Sequence, residues 1–332
     1  MMRAAVIGVG AMGRNHARVY NEIPEVELAA VSDLDEARTE NTARLYGAQA
    51  YTDYRAMLQE VQPAVVTVAV PTQAHHQVVL DALEVGCHVL VEKPISATLD
   101  EGRDMIARAA ELERVLAVGH IERYNPAVIE LKRRLDAGEL GRIFEIHARR
   151  LGPFPARVRD VGVVVDLAPH DLDIMRYLTC REVTRLYAET EQEIHTEHED
   201  LFSGLIRFAG GILGVLNINW LTPTKIREIV VTGQRGVFLA NLLTQDLYFY
   251  ENAEAGELDW NHLSLLRGVG EGQMVRLRLN KREPLRAELE AFVAAACGEG
   301  GSIVSGKDGL TALQLAQALV QSGREHRVVM IE

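Results

Sequence analysis

The chain has 332 residues, 48% of them hydrophobic, and is long enough for two packed domains, because single hydrophobic cores rarely grow beyond about 250 to 300 residues. Its 35 basic and 47 acidic residues give a formal net charge of -12, which argues against sequence-independent binding to nucleic acid or to an anionic membrane. The composition therefore favours small molecules as binding partners.

Between residues 4 and 120, short apolar runs alternate with stretches of helical periodicity. The predicted strands span residues 4–7, 27–32, 64–70, 88–91 and 116–118, and the predicted helices span residues 14–20, 35–46, 76–83 and 100–113. Gly47 and Gly86 are predicted helix stops, and Thr98 with Glu101 forms a predicted capping box. Such apolar runs are typical of strands buried on both faces, so the alternation predicts a parallel, doubly wound sheet.

After residue 121 the pattern changes to longer runs with a period of two, which is typical of antiparallel strands. The predicted strands span residues 143–150, 182–191, 202–208, 212–220, 227–232 and 247–250, and the predicted helices span residues 126–136, 163–178, 285–296 and 308–322. We expect a domain over residues 122–332 in which helices cover one face of a mostly antiparallel sheet. The last two helices are candidates for packing back on the first domain.

A glycine-rich segment follows the first predicted strand and precedes a helix, the context in which a GxGxxG pattern indicates dinucleotide binding. The candidate cofactor-binding residues are Gly8, Gly10, Ala11, Met12 and Gly13. The first glycine permits a tight turn, the second lets the backbone approach a pyrophosphate, and the third lets the helix pack on the strand. Residues 1–121 are therefore predicted to form a Rossmann domain.

Asp33 ends the second predicted strand, 20 residues beyond Gly13. An acidic side chain there can accept hydrogen bonds from the adenosine ribose hydroxyls and repel a 2′-phosphate, so we expect NAD rather than NADP as the cofactor. The alternative is that Asp33 caps the helix that begins near Asp35.

Two further motifs lie at predicted strand ends, where ligands bind in open α/β folds. Val70, Pro71 and Thr72, with His75 beyond them, follow one strand, and Glu92, Lys93 and Pro94 follow the next. With the glycine loop and the segment Asp166-Leu167-Ala168-Pro169-His170-Asp171-Leu172-Asp173, they make the chain resemble the Gfo/Idh/MocA family of oxidoreductases. The likeness covers essentially the whole chain, but Ala168 stands where the family usually has glycine.

Oxidation of a secondary alcohol requires a base beside the carbinol as hydride departs to the nicotinamide. Lys93 and His170 are the candidates, and the resemblance implies that both face the reacting carbon. Asp166 and His170 are four residues apart, so on a helix they share one face, and Asp166 can orient the imidazole or bind a sugar hydroxyl. Taken singly, each has another interpretation: Lys93 as a solvated charge after a strand, and Asp166 with His170 as a pair on the protein surface.

The segment from Gly119 to Pro126 resembles the G-H-x-E-R-F-N-P variant of the UDP-N-acetylglucosamine 3-dehydrogenases and neighbouring nucleotide-sugar enzymes of the family. By that likeness the candidate substrate- or ribose-binding residues are His120, Arg123, Tyr124 and Asn125. The alternative is that Tyr124 and Pro126 pack the joint between the domains. The predicted substrate is therefore a sugar, most specifically a nucleotide sugar oxidised at its 3-hydroxyl.

Four arginines, Arg149, Arg150, Arg157 and Arg159, lie near the predicted catalytic helix. Guanidinium groups suit a diphosphate, and we assign Arg157 to the substrate. At least two of the four arginines are expected to be solvated, because neighbours on a strand point to opposite faces. His195, His198, Glu199 and Asp200 could suggest a metal site, which we discount because hydride transfer needs none. No metal is predicted.

Two other functions stay open: a myo-inositol or free-sugar dehydrogenase, and a dinucleotide-binding regulator without catalysis. The resemblance also implies a homodimer or homotetramer. The three cysteines form no CxxC pair, and the chain has neither a recognisable signal peptide nor an apolar run of the ~18 to 20 residues that span a bilayer. We therefore expect a cytoplasmic protein without membrane contact.

Overall fold

The computed structural model describes residues 1–155, 161–195, 197–252 and 271–331, which form two compact units. The first unit comprises Met1–Tyr124 and Glu283–Gln314, and the second comprises Asn125–Arg282 and Leu315–Glu332. Within the described ranges, no helix combines the length and apolar character needed to cross a membrane. The α-helices are α1 (Ala11–Glu22), α2 (Glu36–Tyr46), α3 (Tyr54–Val61), α4 (His75–Glu84), α5 (Leu99–Glu111), α6 (Pro126–Asp136), α7 (Val163–Thr179), α8 (Pro284–Ala296) and α9 (Gly306–Glu325).

The first unit contains a parallel sheet in the order β3-β2-β1-β4-β5-β6. Its strands are β1 (Met2–Ile7), β2 (Val26–Ser32), β3 (Gln49–Tyr51), β4 (Val65–Val68), β5 (His88–Glu92) and β6 (Leu116–Gly119). Every residue of β4 is buried, as expected for a strand covered on both faces. The strand order reverses between β1 and β4, and the predicted doubly wound sheet is confirmed.

Local sequence signals set the helix ends of this unit. Thr98 and Glu101 form the predicted capping box at the start of α5, and Gly47 ends α2 with a φ of 71°, which glycine adopts without steric cost. The short elements β3 and α3 were not expected, because β3 has only three residues and none of them is buried.

The second unit contains a largely antiparallel sheet in the order β14-β13-β12-β11-β7-β10-β9-β8-β15, and the predicted fold class is confirmed. One neighbouring pair, β7 and β10, is parallel. The strands are β7 (Ile143–Pro153), β8 (Val183–Glu191), β9 (Leu201–Phe208), β10 (Leu213–Asn219), β11 (Leu221–Gly233), β12 (Gly236–Asn241), β13 (Asp246–Asn252), β14 (Glu271–Leu277) and β15 (Val329–Met330).

Burial alternates along the central strands of this sheet, so that one face belongs to the core and the other is open. Along β10, buried Gly214, Leu216 and Ile218 alternate with partly exposed neighbours, as the period of a strand requires. Helix α7 packs on β7 and β10. It thereby holds its own residues 163–179 against the core face of the sheet.

Candidate active site

The three glycines of the loop after β1 differ in how much room a side chain would have at each position. Gly8 has a φ of 87°, and a Cβ there would lie 2.6 Å from the carbonyl oxygen of Ala69. A Cβ on Gly13 would overlap the carbonyl oxygen of Gly8, whereas a Cβ on Gly10 would have no atom within 4 Å. Gly8 and Gly13 are therefore required for packing of the loop, while the space beside Gly10 is open to a ligand.

Helix α1 begins directly after Gly10, and no side chain caps its N-terminus. Its first N–H groups and the positive end of its dipole are thus available to an anion, as a pyrophosphate site requires. Ala11 and Met12 form the first turn. The adjoining cavity, of about 480 Å³, is lined by Ile7, Gly8, Gly10, Ser32, Asp33, Leu34, Arg38, Thr52, Tyr54, Ala69, Val70, Pro71, Ala74 and Val78. These residues fit a dinucleotide.

The carboxylate of Asp33 joins the second strand to the glycine loop. Its Oδ2 accepts a 2.8 Å hydrogen bond from the backbone N–H of Val9, and its Oδ1 accepts one of 3.0 Å from the N–H of Asp35. The N-cap of α2 is Asp35, whose side chain accepts from the N–H of Arg38. Asp33 is therefore not the cap of α2, and it lines the cavity where an adenosine ribose would be recognised.

Sequence reasoning missed several residues of the cavity wall, including Arg38, Thr52 and Tyr54. The Arg38 guanidinium lies 3.4 Å from the Asp33 carboxylate. The Tyr54 hydroxyl donates a 2.7 Å hydrogen bond to Asp81, and burial together with that carboxylate raises the pKa of Tyr54 to about 12. Thr52 and Tyr54 belong to the segment around β3 and α3, which no sequence signal had marked.

Glu92 and Lys93 lie at the carboxyl end of β5, as the motif predicted. The Nε2 of His16, on α1, is 2.8 Å from Glu92 Oε1, and Glu92 Oε2 accepts a 3.2 Å hydrogen bond from the backbone N–H of Lys93. Burial acts to raise the pKa of Glu92, but the His16 hydrogen bond and the charges of His16 and Lys93 outweigh it, and the pKa lies below its ordinary value. Glu92 is therefore a carboxylate at neutral pH.

His75, a candidate cofactor-binding residue, is held between two main-chain segments, and its contact with the cofactor stays a prediction. Its Nδ1 is 3.0 Å from the carbonyl oxygen of Pro94, its Nε2 is 3.0 Å from that of Val70, and the ring is buried. Both ring nitrogens therefore face main-chain groups, and the side chain ties the end of β4 to the loop after β5. Thr72 begins a short 3₁₀ turn beside it.

The segment from His120 to Asn125 is more buried than its predicted substrate contacts would suggest. The Tyr124 hydroxyl donates to the carbonyl oxygen of Ser302 at 3.0 Å, and Arg123 lies 3.4 Å from Asp308. His120, Tyr124 and Asn125 are all buried. Tyr124 and Arg123 are thus tied to the C-terminal segment of the first unit, and their contacts with substrate stay predictions.

Asn125 caps helix α6. Its Oδ1 accepts a hydrogen bond from the N–H of Ala127 at the start of α6, and its Nδ2 donates a 3.0 Å bond to the carbonyl oxygen of Leu242. Both ends of this buried amide are thus held within the second unit, and its contact with substrate stays a prediction.

Asp166 and His170 both lie on α7, four residues apart, and both are partly exposed. Gly162 precedes this helix, and a Cβ there would overlap the Glu199 carboxylate. That carboxylate accepts from the N–H of Val164 at 3.3 Å and places negative charge at the helix N-terminus. A residue from the segment before β9 therefore fixes the start of α7, and Ala168 lies buried within the helix.

The predicted arginine cluster is divided by the two faces of β7. Arg150 points into the core, where Nε and Nη2 donate to the two oxygens of Asp171 at 2.6 and 2.9 Å. Arg149 points to the open face and pairs with Glu228 at 3.2 Å. Arg157, the candidate substrate ligand, lies outside the described residues, as does Arg159.

Three of the four residues considered for a metal site have side chains that bind nearby backbone groups. Asp200 accepts from the backbone N–H groups of residues 193–195, Glu199 contacts the start of α7, and His195 Nδ1 accepts from the N–H of His198. Within the described ranges, no group of three or more His, Cys, Asp or Glu side chains is arranged to hold a metal ion.

Comparison with known proteins places this geometry in a family. Residues 2–120 match a model described as an oxidoreductase family with an NAD-binding Rossmann fold, and residues 128–239 match the Gfo/Idh/MocA C-terminal domain. Both matches agree with the sheets and the cofactor cavity described above. They confirm the predicted enzyme class, an oxidoreductase with NAD as its cofactor.

Individual relatives cover nearly the whole chain. A UDP-N-acetylglucosamine 3-dehydrogenase from Acidithiobacillus ferrooxidans is 31% identical over 89% of this chain and 88% of its own, and its solved structure matches 97% of each chain with a TM-score of 0.86 and 29% identity. A myo-inositol 2-dehydrogenase from Thermotoga maritima is 28% identical over 100% of this chain and 99% of its own. The chain therefore belongs to the Gfo/Idh/MocA family of oxidoreductases, and its first unit carries that family's NAD-binding Rossmann fold.

Proposed function

We propose that this protein is an NAD-dependent dehydrogenase that oxidises a secondary hydroxyl group of a sugar, and that its substrate is a nucleotide sugar of the UDP-N-acetylglucosamine type, oxidised at the 3-hydroxyl. The observation that carries the proposal is its end-to-end similarity to a UDP-N-acetylglucosamine 3-dehydrogenase, with 31% identity over 89% of the chain. A TM-score of 0.86 over 97% of both chains supports it.

The reaction removes a hydride from the carbinol carbon and a proton from its hydroxyl, which leaves a ketone. NAD supplies the hydride acceptor when it is bound. We assign proton removal to Lys93 Nζ or to a ring nitrogen of His170, and we assign Asp166 to orienting that imidazole or binding a neighbouring hydroxyl. Gly8, Gly10, the first turn of α1 and Asp33 hold the cofactor.

Recognition of a diphosphate has narrower support than the sequence suggested. Two of the four arginines are engaged within the second unit, Arg150 with Asp171 and Arg149 with Glu228. The proposal of a nucleotide sugar therefore depends on similarity, and on Arg157 as the remaining candidate that the sequence assigned to the substrate. His120 and Arg123 complete the proposed substrate set.

The second candidate within the same chemistry is a cyclitol or free-sugar dehydrogenase. The relative that supports it is the myo-inositol 2-dehydrogenase from Thermotoga maritima, at 28% identity over the whole chain. An inositol has no diphosphate and requires no arginine fork. The two candidates therefore predict different responses to a substrate that lacks the nucleotide.

The deciding experiment is an assay of NADH formation with NAD and UDP-N-acetylglucosamine, with myo-inositol and with NADP in parallel reactions. We expect NADH to form with the nucleotide sugar and not with myo-inositol. Lys93→Met should abolish this activity, and Lys307→Met, a control at an exposed lysine, should retain the normal rate. Turnover of inositol without turnover of the nucleotide sugar would select the second candidate. Tight NADH binding without turnover of either compound would favour a dinucleotide-binding regulator.

We also propose that the protein is a homo-oligomer that pairs through the open face of the second sheet. Cross-strand neighbours share a face, and the register places one row of largely apolar side chains across the open side. The row contains Tyr187, Leu205, Val215, Val230 and Leu239. Light scattering should give a mass of two or four chains, and Val215→Arg should yield a smaller species; a wild-type monomer would refute the proposal.

A further inference from the structure

The carboxylate of Glu92 is surrounded on several sides by contacts that leave it little freedom. Its side chain is 13% exposed, and it meets His16 from α1 and the backbone N–H of Lys93 from its own chain. At the neighbouring strand end, a Cβ on Gly119 would lie 3.1 Å from the carboxylate. Glycine at that position leaves the space that the carboxylate occupies.

His16 has one specific polar contact within the described residues, and that contact is Glu92. The imidazole is fully buried, its Nε2 is 2.8 Å from Oε1, and its Nδ1 has no hydrogen-bond partner in the described part of the chain. Because a carboxylate only accepts, Nε2 must carry the proton. A buried imidazole on the helix that follows the glycine loop thus serves one carboxylate.

We propose that His16 is a positioning residue for Lys93: it holds the Glu92 carboxylate in place, and Glu92 in turn fixes the backbone of Lys93 and faces the charge of its ammonium group. This inference rests on the proposed function, in which Lys93 faces the reacting hydroxyl. The His16 side chain is fully buried against Glu92. Its action passes through Glu92.

The charges around Glu92 determine what loss of His16 would do. The groups that interact with this carboxylate are His16 on α1, His75 on α4 and Lys93 at the end of β5. Without the hydrogen bond from His16, the buried carboxylate loses the donor that fixes Oε1. The other oxygen can then turn away from the backbone N–H of Lys93, and the ammonium group of Lys93 loses a counter-charge held at a fixed position.

The experiment observes the Lys93 side chain directly, in the full-length protein without substrate. The chain has five lysines, Lys93, Lys132, Lys225, Lys281 and Lys307, so NMR of ¹³C-dimethylated lysine resolves them, and Lys93→Arg assigns the signal. In His16→Leu we expect the Lys93 methyl signal at pH 7 to shift and its line to narrow, because the side chain becomes more mobile. In His16→Gln, whose amide N–H can replace Nε2–H, we expect most of the wild-type spectrum to return.

Two further variants separate positioning from general destabilisation. Gly119→Ala crowds the same carboxylate while His16 is retained, and it should shift the Lys93 methyl signal as His16→Leu does. His76→Leu removes another histidine–carboxylate contact, the 2.7 Å contact between His76 on α4 and Asp104 on α5, and should leave the Lys93 signal unchanged. Should His16→Leu fail to fold, Gly119→Ala carries the test alone.

The outcomes are distinguishable from failure of the proposed substrate. An unchanged Lys93 signal in folded His16→Leu and Gly119→Ala proteins would overturn the inference, even if the nucleotide sugar is turned over. A shifted, narrower signal in both would support it, even if another sugar is the substrate. With an active substrate, kcat should fall in His16→Leu with little change in KM, and should recover in His16→Gln.

Discussion

Arg150 and Asp171 form a buried, two-point ion pair between strand β7 and helix α7. The two side chains are 4% and 2% exposed, and the donor–acceptor distances are 2.6 and 2.9 Å. Asp171 directly follows His170 in the chain. The pair therefore fixes the rotation of α7 about its axis, and with it the side on which Asp166 and His170 project.

Removal of one partner should be strongly destabilising. We expect Arg150→Met to lower the free energy of unfolding by about 3 to 5 kcal/mol, because it leaves the Asp171 carboxylate buried without its counter-charge. Chemical denaturation measures the change. Arg150→Met combined with Asp171→Leu should recover most of the loss, whereas a double variant as unstable as the single one would contradict the electrostatic cause.

A matched control lies one residue away. Arg149 pairs with Glu228 at the open face, with 41% of its side chain exposed. Because exposed ion pairs contribute little, Arg149→Met should change the free energy of unfolding by less than about 1 kcal/mol. Equal effects at the two positions would mean that burial does not explain the difference.

Substitutions at two glycines of the cofactor loop should have different effects, one on cofactor binding and the other on stability. Gly10→Ala adds a Cβ into open space, so the protein should fold with a Tm within about 2 °C of wild type but bind NADH at least about tenfold more weakly, since the methyl group blocks the pyrophosphate. Gly13→Ala forces a Cβ into the Gly8 carbonyl group. It should lower stability by about 2 kcal/mol or more.

Differential scanning calorimetry and NADH fluorescence titration measure these two quantities. A Gly10→Ala protein that binds NADH normally would show that the open space beside Gly10 is not where the phosphates lie. A Gly13→Ala protein of wild-type stability would require the loop to shift.

Asp33 should set the choice between the two nicotinamide cofactors. Asp33→Asn keeps an oxygen that can accept from Val9 but removes the charge, so NADH binding should weaken by about tenfold while NADPH binding weakens less or improves. Isothermal titration with both cofactors measures the ratio. Asp35→Asn retains a good helix cap and is the control, expected to leave both affinities within about twofold.

His75 should make the protein less stable in mild acid. Burial lowers its pKa in the folded chain below the ordinary 6.5, so as the pH falls below about 6.5 the unfolded chain takes up a proton that the folded chain does not. The stability associated with neutral His75 is thus present above pH 6.5 and declines below it. The difference in unfolding free energy between wild type and His75→Gln should shrink from pH 7 to pH 5.5, and parallel curves would contradict this.

The parts of the site that the sequence predicted are those with local signals. The glycine loop and Asp33 were predicted because their role depends on a turn, a helix start and a fixed separation along the chain. The ion pair of Arg150 and the contact of His16 with Glu92 were not, because each joins residues that are far apart in sequence. No spacing rule identifies such partners.

Asn125 shows that one residue can fit two sequence signals. The surrounding motif resembles a substrate segment, yet an asparagine before a proline is also a good helix cap, and in the structure Asn125 caps α6. Thr52 and Tyr54 were missed because the short, exposed strand beside them has no apolar run. The division of Arg149 and Arg150 between the two faces of β7 was expected from the period of a strand, but the buried partner of Arg150, Asp171, was not.

The first unit is built from two segments that are far apart in the sequence and are therefore translated at different times. Leu289 and Phe292 of α8 are fully buried in a core with residues of α1 and β1, and Val304 accepts a hydrogen bond from the N–H of Val118 on β6. On the ribosome, residues 1–124 therefore emerge long before the segment that completes their core. The nascent cofactor unit exposes an apolar surface until then, and a fragment that stops at residue 124 should aggregate rather than bind NAD.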